Sequence, residues 1–404
     1  LAYDPEIECS QPVVVRPRPQ ATRRRQLPVG PNTAWGTYYV QDVYVGAPMK
    51  GVPRGTVKKL RVCAIENRPM FLYNGSMYAP HDACFDKYIA YYGDNSGEGL
   101  GVRGCTWDVK HVFGEVDVAP DGSCAFEAPA CNPVYFQLLD ADGRCIQTMR
   151  SWSTLMPGEF NSCIGCHENK LEASAPVSRG RLKVQRLQPA AGQGPHPLLR
   201  RLDAGGRLGS VGNYLGVHAA RSSAPDAPTE GFSYRRLIQP ILDRSCVKCH
   251  DGSAKDRPDL TGRLVPDPRQ LCWNPSEPID AHRDFTMSYW NLTAQGRQTP
   301  RLNWYSSAGI SAMLPPYAMG STQSGIMRYL TGAHHGVQTT ETDRRLFACW
   351  IDLGIPFGGS YAEATRWTDE DRRVFEYHQR KREAFAAQEM RVGRTADSHP
   401  PRSL

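Results

Sequence analysis

Apolar and polar residues alternate along several short stretches of the first 160 residues. The segments TYYVQDVYVG at 37–46 and VKKLRVCAIE at 57–66 are rich in β-branched and aromatic residues, and their partial alternation favours strands. Two later stretches, 114–130 and 134–152, each contain an Asp-Gly pair between strand-like runs, which is typical of a hairpin. The pattern therefore predicts an all-β unit over residues 31–160.

After residue 230 the apolar residues take up the spacing of helices. Four of them share one helical face just before the stretch SCVKCH: Leu237, Ile238, Ile241 and Leu242. A second helix is predicted in TDRRLFACWIDLG, and it ends near Gly354 because glycine favours a helix C-terminus and Pro356 follows. A third, charged helix is predicted from residue 368, with acidic residues in its first turn and basic residues later.

These patterns predict an α+β multidomain fold in five parts. Residues 1–30 are a Pro- and Arg-rich arm, and residues 31–175 are a β-rich domain. In residues 176–230 Pro, Gly, Ala, Ser and Arg dominate and the apolar periodicity fades, which indicates a linker or an irregular segment that wraps over its neighbours. A mainly helical and irregular domain spans residues 231–365, and the charged helix and a tail occupy residues 366–404.

The order Cys-x-x-Cys-His occurs twice in the chain. The first copy is Cys163, Cys166 and His167, and the second is Cys246, Cys249 and His250. In this motif the two thiols attach covalently to a haem, and the adjacent His binds the iron as proximal ligand. Composition alone gives roughly 0.01 copies by chance. We therefore predict two covalently bound haem c groups, one in the β-rich domain and one in a cytochrome c-like domain at 231–365.

A zinc site or a redox-active dithiol can also use Cys-x-x-Cys. A zinc site requires a second ligand pair at suitable spacing, and the two motifs here lie far apart in the sequence. A thioredoxin-like dithiol requires a βαβ context, which the pattern does not predict. Haem attachment is therefore the favoured interpretation of both motifs.

The second haem has clear candidates for its sixth ligand. His334 and His335 in TGAHHGV lie about a domain's length after the second motif and just before a predicted helix. We expect one of them, by preference His334, to bind the iron opposite His250, which makes a low-potential electron carrier. The first haem has only His111 and Met149 as weaker candidates. If neither binds, one face of the first iron is open to small molecules.

Length, composition and charge limit the class of protein. The chain has 404 residues, 40% of them hydrophobic, which is enough for two or three domains with packed cores. It has no apolar run of about 18 residues, so no membrane span is predicted. The net charge is +7, but no basic helix with interleaved aromatics occurs, so nucleic acid is not an expected partner. A mildly basic surface favours an acidic redox partner instead.

Cysteine usage favours an exported protein. Four of the 13 cysteines belong to the two motifs. In an oxidising compartment we expect disulfides among six others, namely Cys63, Cys84, Cys105, Cys124, Cys131 and Cys145. The alternative is that several of them are small buried core residues. The chain begins at Leu1, which is expected of a removed leader or a cut N-terminus. We therefore expect a periplasmic or extracellular location.

Several stretches together resemble the C-terminal half of the hydrazine synthase alpha subunit and related secreted dihaem c-type cytochromes. They are VDVAPDGSCAFEAPA, FQLLDADGRCIQTMRSWSTLMPGEFNSCIGCHENK, LPPYAMGS and LGIPFGGSY. The resemblance implies a middle domain with one haem c and a C-terminal domain with a second, whose distal ligand corresponds to His334. It also implies that hydrazine forms at the first haem from nitric oxide and an ammonia-level species.

The chain departs from this family after the first motif. In the family, a Tyr four residues after the motif His binds the iron, and the His goes to zinc, whereas Leu171 occupies that position here. We therefore expect His167 to be an ordinary proximal ligand. The family also places a β-propeller before this half. We expect that propeller to be a separate subunit, or to have been lost or cleaved off.

Together these features favour an exported dihaem cytochrome that transfers electrons as a subunit of a larger redox complex. Its partners are then a redox protein or other cytochrome subunits, with a β-propeller subunit among the candidates. The alternative is a hydrazine synthase-like haem oxidoreductase, in which the first haem acts on small nitrogen species and the second feeds it electrons. A third hypothesis is a structural cell-surface module whose haems only stabilise the fold. It is disfavoured because a chain of this length can build its own hydrophobic core.

Overall fold

The structure is a computed structural model that describes residues 34–65, 71–73, 76–78, 109–166, 182–203, 231–266, 285–293, 301–304 and 314–360, with single residues between 363 and 384. Within these ranges the chain is a mixed α/β protein, with sheets in its first half and helices in its second. No helix in the described part is both long and apolar enough to cross a membrane.

The described strands form three sheets. Their bounds are β1 Trp35–Val40, β2 Lys59–Ile65, β3 Phe71–Tyr73, β4 Ser76–Tyr78, β5 Lys110–Asp117, β6 Cys124–Pro129, β7 Val134–Leu139, β8 Cys145–Thr148 and β9 Phe160–Cys163. The larger sheets have the strand orders β5-β2-β7-β8 and β6-β1-β9, and β3 pairs with β4. Strand β9 pairs parallel to β1, and the other pairs are antiparallel.

Alternation along β2 lets one sheet take part in two cores. Leu60, Val62 and Ala64 face the three-stranded sheet and join a core that includes Tyr38. Cys63 lies on the opposite face and joins the core formed with the helices. Both faces of the four-stranded sheet are covered, so β2 is buried along nearly its whole length. Such burial is typical of a central strand and not of a strand with one face in solvent.

The described helices are short, apart from the last. Their bounds are α1 Pro197–Asp203, α2 Tyr234–Leu237, α3 Gln239–Ser245, α4 Met287–Thr293, α5 Ile326–Tyr329 and α6 Glu341–Asp352, with 3₁₀ turns at Ala47–Met49 and Ser321–Gln323. Helix α6 begins at a capping box formed by Thr340 and Asp343. It ends two residues before Gly354, close to the end that the sequence predicts.

The helix predicted before the second motif consists of two pieces, α2 and α3. Pro240 lies in the first turn of α3, where its missing N–H removes no helical hydrogen bond, and Ile238 ends one helix and begins the next. The predicted apolar face is nevertheless present, because Ile238, Ile241 and Leu242 are all buried. Further along, every described residue between 363 and 384 is helical, where the charged helix was predicted.

Residues 182–203, which fall in the predicted linker, pack against both larger sheets. Bridges join Gln185 to Phe126 and Gln188 to Glu115. At the second bridge the chain passes so close to Gly114 that a Cβ there would lie 2.5 Å from the Gln188 carbonyl oxygen. The three leucines of α1 are buried in the core between the sheets. Local composition did not predict this packing because it depends on edges and surfaces supplied by distant strands.

Candidate haem-binding site at His250 and His334

The second Cys-x-x-Cys-His motif forms one turn directly after α3. Cys246 is the C-cap of that helix, and the main-chain N–H of His250 donates to the Cys246 carbonyl at 3.0 Å. Cys246 is half-buried and Cys249 is exposed. Both thiols and the imidazole therefore lie on one short turn, as attachment to a single haem requires.

The His250 side chain is oriented by a backbone carbonyl. Its Nδ1 lies 2.9 Å from the carbonyl oxygen of Pro258, which can only accept, so Nδ1 carries the proton and donates. The other ring nitrogen, Nε2, then has its lone pair directed away from this bond and can bind a metal. Sequence reasoning missed this role of Pro258, since no sequence signal specifies the acceptor of a histidine proton.

A short closed loop brings His334 to His250. The loop is closed by a bridge between Thr331 and Gln338, and the N–H of Val337 donates to the His334 carbonyl at 3.0 Å. The centroids of the His250 and His334 rings are 5.9 Å apart. Burial lowers the pKa of His334, and its two histidine neighbours lower it further, which favours the neutral imidazole that a metal requires.

The spacing of these two rings matches that of two axial ligands. Imidazole nitrogens that each bind a metal at about 2 Å place their ring centroids about 6 Å apart. The observed separation is 5.9 Å, and the two motif thiols lie on the same turn as His250. The residues present therefore fit a covalently attached haem with histidine on both faces of its iron.

His335 occupies a different environment from His334. Its ring contacts the His334 ring at a centroid distance of 4.6 Å, and the residue is exposed. Its φ of 49° is in the left-handed region, which few non-glycine residues adopt. Tyr329 packs on His334 at 5.1 Å. Of the two candidates from the sequence, the structure places His334 opposite the motif histidine.

The first motif follows strand β9. Cys163 is the last residue of β9 and pairs with Val40 of β1. The next turn packs tightly, because a Cβ on Gly165 would lie 2.3 Å from the Val45 carbonyl oxygen, and Cys166 donates its N–H to that same oxygen at 2.9 Å. Both cysteines are half-buried. His167 and Leu171 lie outside the described residues.

Both weaker ligand candidates for the first haem, His111 and Met149, lie in or against the protein interior. His111 is fully buried on β5, and its Nδ1 lies 3.0 Å from His196 Nε2. Since the Leu198 N–H donates to His196 Nδ1, a neutral His196 carries its proton on Nε2 and donates it to His111. Met149 packs against the core between sheet and helices. The bond with His196, which sequence reasoning missed, occupies His111 Nδ1.

The described cysteines of the β-rich part form no disulfide. Cys63, Cys124 and Cys145 are buried thiols and Cys131 is half-buried. Burial raises the pKa of each of these thiols. The predicted disulfides therefore gain no support from the described cysteines. Cys84 and Cys105 lie outside the described residues. The buried thiols agree with the alternative that several cysteines are core residues.

Comparison with known proteins points to one family. Residues 55–168 match the family model described as the hydrazine synthase alpha subunit middle domain. The chain is 28% identical to hydrazine synthase subunit alpha of Kuenenia stuttgartiensis over 183 residues, which are 40% of this chain and 22% of that protein. The solved Kuenenia stuttgartiensis hydrazine synthase aligns with a TM-score of 0.44 and 16% identity over 81% of this chain and 44% of the other.

The chain spans less than half the length of each of these relatives. The matched residues 55–168 nevertheless include β2 to β9 of the β-rich part and the whole first Cys-x-x-Cys-His motif. The resemblance drawn from the sequence motifs is thus confirmed by matches to the same subunit. The chain is related to the alpha subunit of hydrazine synthase.

Proposed function

We propose that this chain is the haem-bearing part of a hydrazine synthase-like oxidoreductase. The observation that carries the proposal is the pairing of His250 with His334, whose rings lie 5.9 Å apart beside two haem-attachment cysteines. His250 and His334 would hold the haem, and with both as its ligands it would have no position left for a substrate. The second site is therefore an electron-transfer centre, and the reaction belongs elsewhere.

Residues around the second site hold its ligands in place. The Pro258 carbonyl keeps the His250 proton on Nδ1, and the bridge between Thr331 and Gln338 closes the loop that presents His334. When bound, the haem supplies one-electron redox chemistry. Cys246 and Cys249 would attach it covalently.

The first site is the proposed reaction centre for a small nitrogen compound. Cys163 and Cys166 would attach the haem there, and His167 would be its proximal ligand. The match of residues 55–168 to the hydrazine synthase middle domain supports this assignment, because that stretch contains the motif. An open sixth position at this iron would admit nitric oxide or a compound of similar size.

A second candidate function is a dihaem electron carrier without a reaction of its own. The observation in its favour is Leu171, which stands where the family resemblance implies an iron-binding Tyr. In either case we propose an exported, periplasmic or extracellular protein. Its partners would be other subunits of a redox complex, including a β-propeller subunit.

Counting haems tests the cofactor proposal. The full chain, produced with the haem c maturation system, should carry two haems by intact mass. The Cys246→Ala/Cys249→Ala variant should carry one, because it lacks the second pair of attachment thiols. Cys131→Ala, which removes a half-buried cysteine outside both motifs, should keep two. Two haems in the double variant would contradict the assignment.

Electron paramagnetic resonance separates the two candidate functions. An enzyme with an open first site should show a high-spin ferric signal beside a low-spin one, and nitric oxide should alter only the high-spin signal. Two low-spin signals that nitric oxide leaves unchanged would exclude the reaction centre and leave the electron carrier.

A further inference from the structure

A chain of buried polar groups crosses the junction between the four-stranded sheet and α6. Arg61 of β2 donates to Gln137 Oε1 of β7 at 3.2 Å, and Gln137 Nε2 donates to the Asp352 main-chain carbonyl at 2.7 Å. On its other side Arg61 forms an ion pair with Glu115 of β5 at 3.0 Å. Each of these four residues is at most 5% exposed. Water therefore cannot replace a partner that is lost.

The Asp352 carboxylate joins three separate segments at this junction. Its Oδ1 accepts from the Ser321 N–H at 2.7 Å, and its Oδ2 accepts from the Ser321 hydroxyl at 2.8 Å. Oδ2 also accepts from the N–H of Cys145, the first residue of β8, at 3.0 Å. One side chain at the end of α6 thus holds both the 3₁₀ turn at Ser321–Gln323 and the edge strand of the sheet.

The ionisation of the buried Asp352 carboxyl group falls in an ordinary pH range. Burial raises its pKa from 3.8 to about 6, although the Ser321 hydrogen bonds and the Arg61 charge favour the ionised form. Arg61 stays charged throughout this range, and Glu115 is paired with it. Burial raises the pKa of the three nearby thiols, Cys63, Cys145 and Cys349, so they remain neutral.

We propose that Asp352 is a positioning residue that makes the association of α6 with the four-stranded sheet depend on protonation of its carboxyl group. Strand β8 precedes β9 and the first motif, whereas α6 follows the loop of His334. The junction therefore joins the sheet that precedes the first motif in the sequence to the helix that follows the His334 loop. This role of Asp352 belongs to the protein's own packing and is the same for either proposed function.

The direction of the pH dependence follows from linkage. Opening the junction exposes Asp352 to water, where its pKa returns to the ordinary 3.8. Because the closed form binds the proton more tightly, opening is least favourable below about pH 4 and becomes easier up to about pH 6. The two pKa values correspond to a change of roughly a hundredfold in the opening equilibrium.

Amide hydrogen exchange of the full haem-loaded chain tests the proposal. After correction for intrinsic exchange, protection of peptides that contain Cys145 and Ser321 should fall up to roughly a hundredfold between about pH 4 and about pH 7. Asp352→Asn should remove this dependence, because an amide does not titrate. Asp142→Asn, which changes an exposed acid in the turn between β7 and β8, should keep it.

Two results would overturn the proposal: protection that stays level with pH in the unaltered protein, or an undiminished fall in Asp352→Asn. If Asp352→Asn does not fold, Ser321→Ala gives a second test. It removes the hydroxyl donor that favours the carboxylate, so the midpoint should move to higher pH. A midpoint that stays in place or moves down contradicts the assignment to Asp352.

Discussion

At the scale of single residues, the second site depends on which of two adjacent histidines faces the motif. Both have the same ligating chemistry, and their order in the sequence does not separate them. The loop closed by Thr331 and Gln338 directs His334 to His250 and leaves His335 exposed. The backbone direction at these two adjacent residues thus decides which candidate faces His250.

Replacing the distal histidine should change the spin state of the second haem. His334→Ala removes the sixth ligand, so a high-spin ferric signal should appear in electron paramagnetic resonance, beyond any present in the unaltered protein. His335→Ala is the matched control and should leave the low-spin signal unchanged. The opposite pattern would make His335 the ligand.

At the scale of elements, the first motif depends on the turn that follows β9. Parallel pairing with β1 carries the chain to Cys163, and the turn then passes directly over Val45 and Asp42. Glycine is needed at position 165 because any other residue would place its Cβ within 3 Å of both Val45 and Asp42. The spacing of the two cysteines is therefore supported by close backbone packing and not by the motif alone.

A methyl group at Gly165 should disturb this turn. Gly165→Ala should lower the free energy of unfolding by about 1–3 kcal/mol, since the added atom overlaps backbone atoms that cannot move easily. Gly194→Ala is the control, because a Cβ there meets nothing within 4 Å, and its stability should be nearly unchanged. Urea unfolding of the haem-loaded chains measures both. Equal effects of the two substitutions would contradict the packing argument.

At the scale of the whole molecule, the four-stranded sheet lies between two cores. One face packs on the three-stranded sheet, and the other packs on the helices of the second half. Arg61 lies on the helix-facing side of β2, where it is 2% exposed and pairs with Glu115. A buried charge of this kind stabilises a fold only while its partner is present.

Removing one member of this buried pair should destabilise the protein strongly. Arg61→Met leaves Glu115 buried without its partner and should cost about 3–5 kcal/mol in urea unfolding. The double variant Arg61→Met/Glu115→Leu should recover much of that loss. Lys59→Met removes the more exposed pair with Asp117 on the same two strands, and its effect should stay below about 1 kcal/mol. Similar losses for Arg61→Met and Lys59→Met would contradict a special role of burial.

Much of the architecture could be predicted from periodicity. The strands in the first half and the helix that ends near Gly354 lie where alternation and helical spacing indicate. The division of the pre-motif helix at Pro240 was missed. For residues 182–203 the composition left a linker and an irregular wrap as alternatives and did not predict their packing on the sheets. A proline in a first turn is compatible with either one helix or two, and surface packing depends on strands far away in the sequence.

The two Cys-x-x-Cys-His motifs are properties of adjacent residues, so both attachment sites are predictions that the sequence makes by itself. The sequence by itself was also enough to predict the relation to hydrazine synthase, which the comparisons confirm. Contacts between residues far apart in the sequence could not be predicted in this way. The meeting of His250 with His334, the Pro258 carbonyl that orients the ring and the burial of Asp352 beside Cys145 arise only when separate segments pack. Tertiary structure decided these features because ligand direction and the pKa of a buried acid depend on which groups replace water around it.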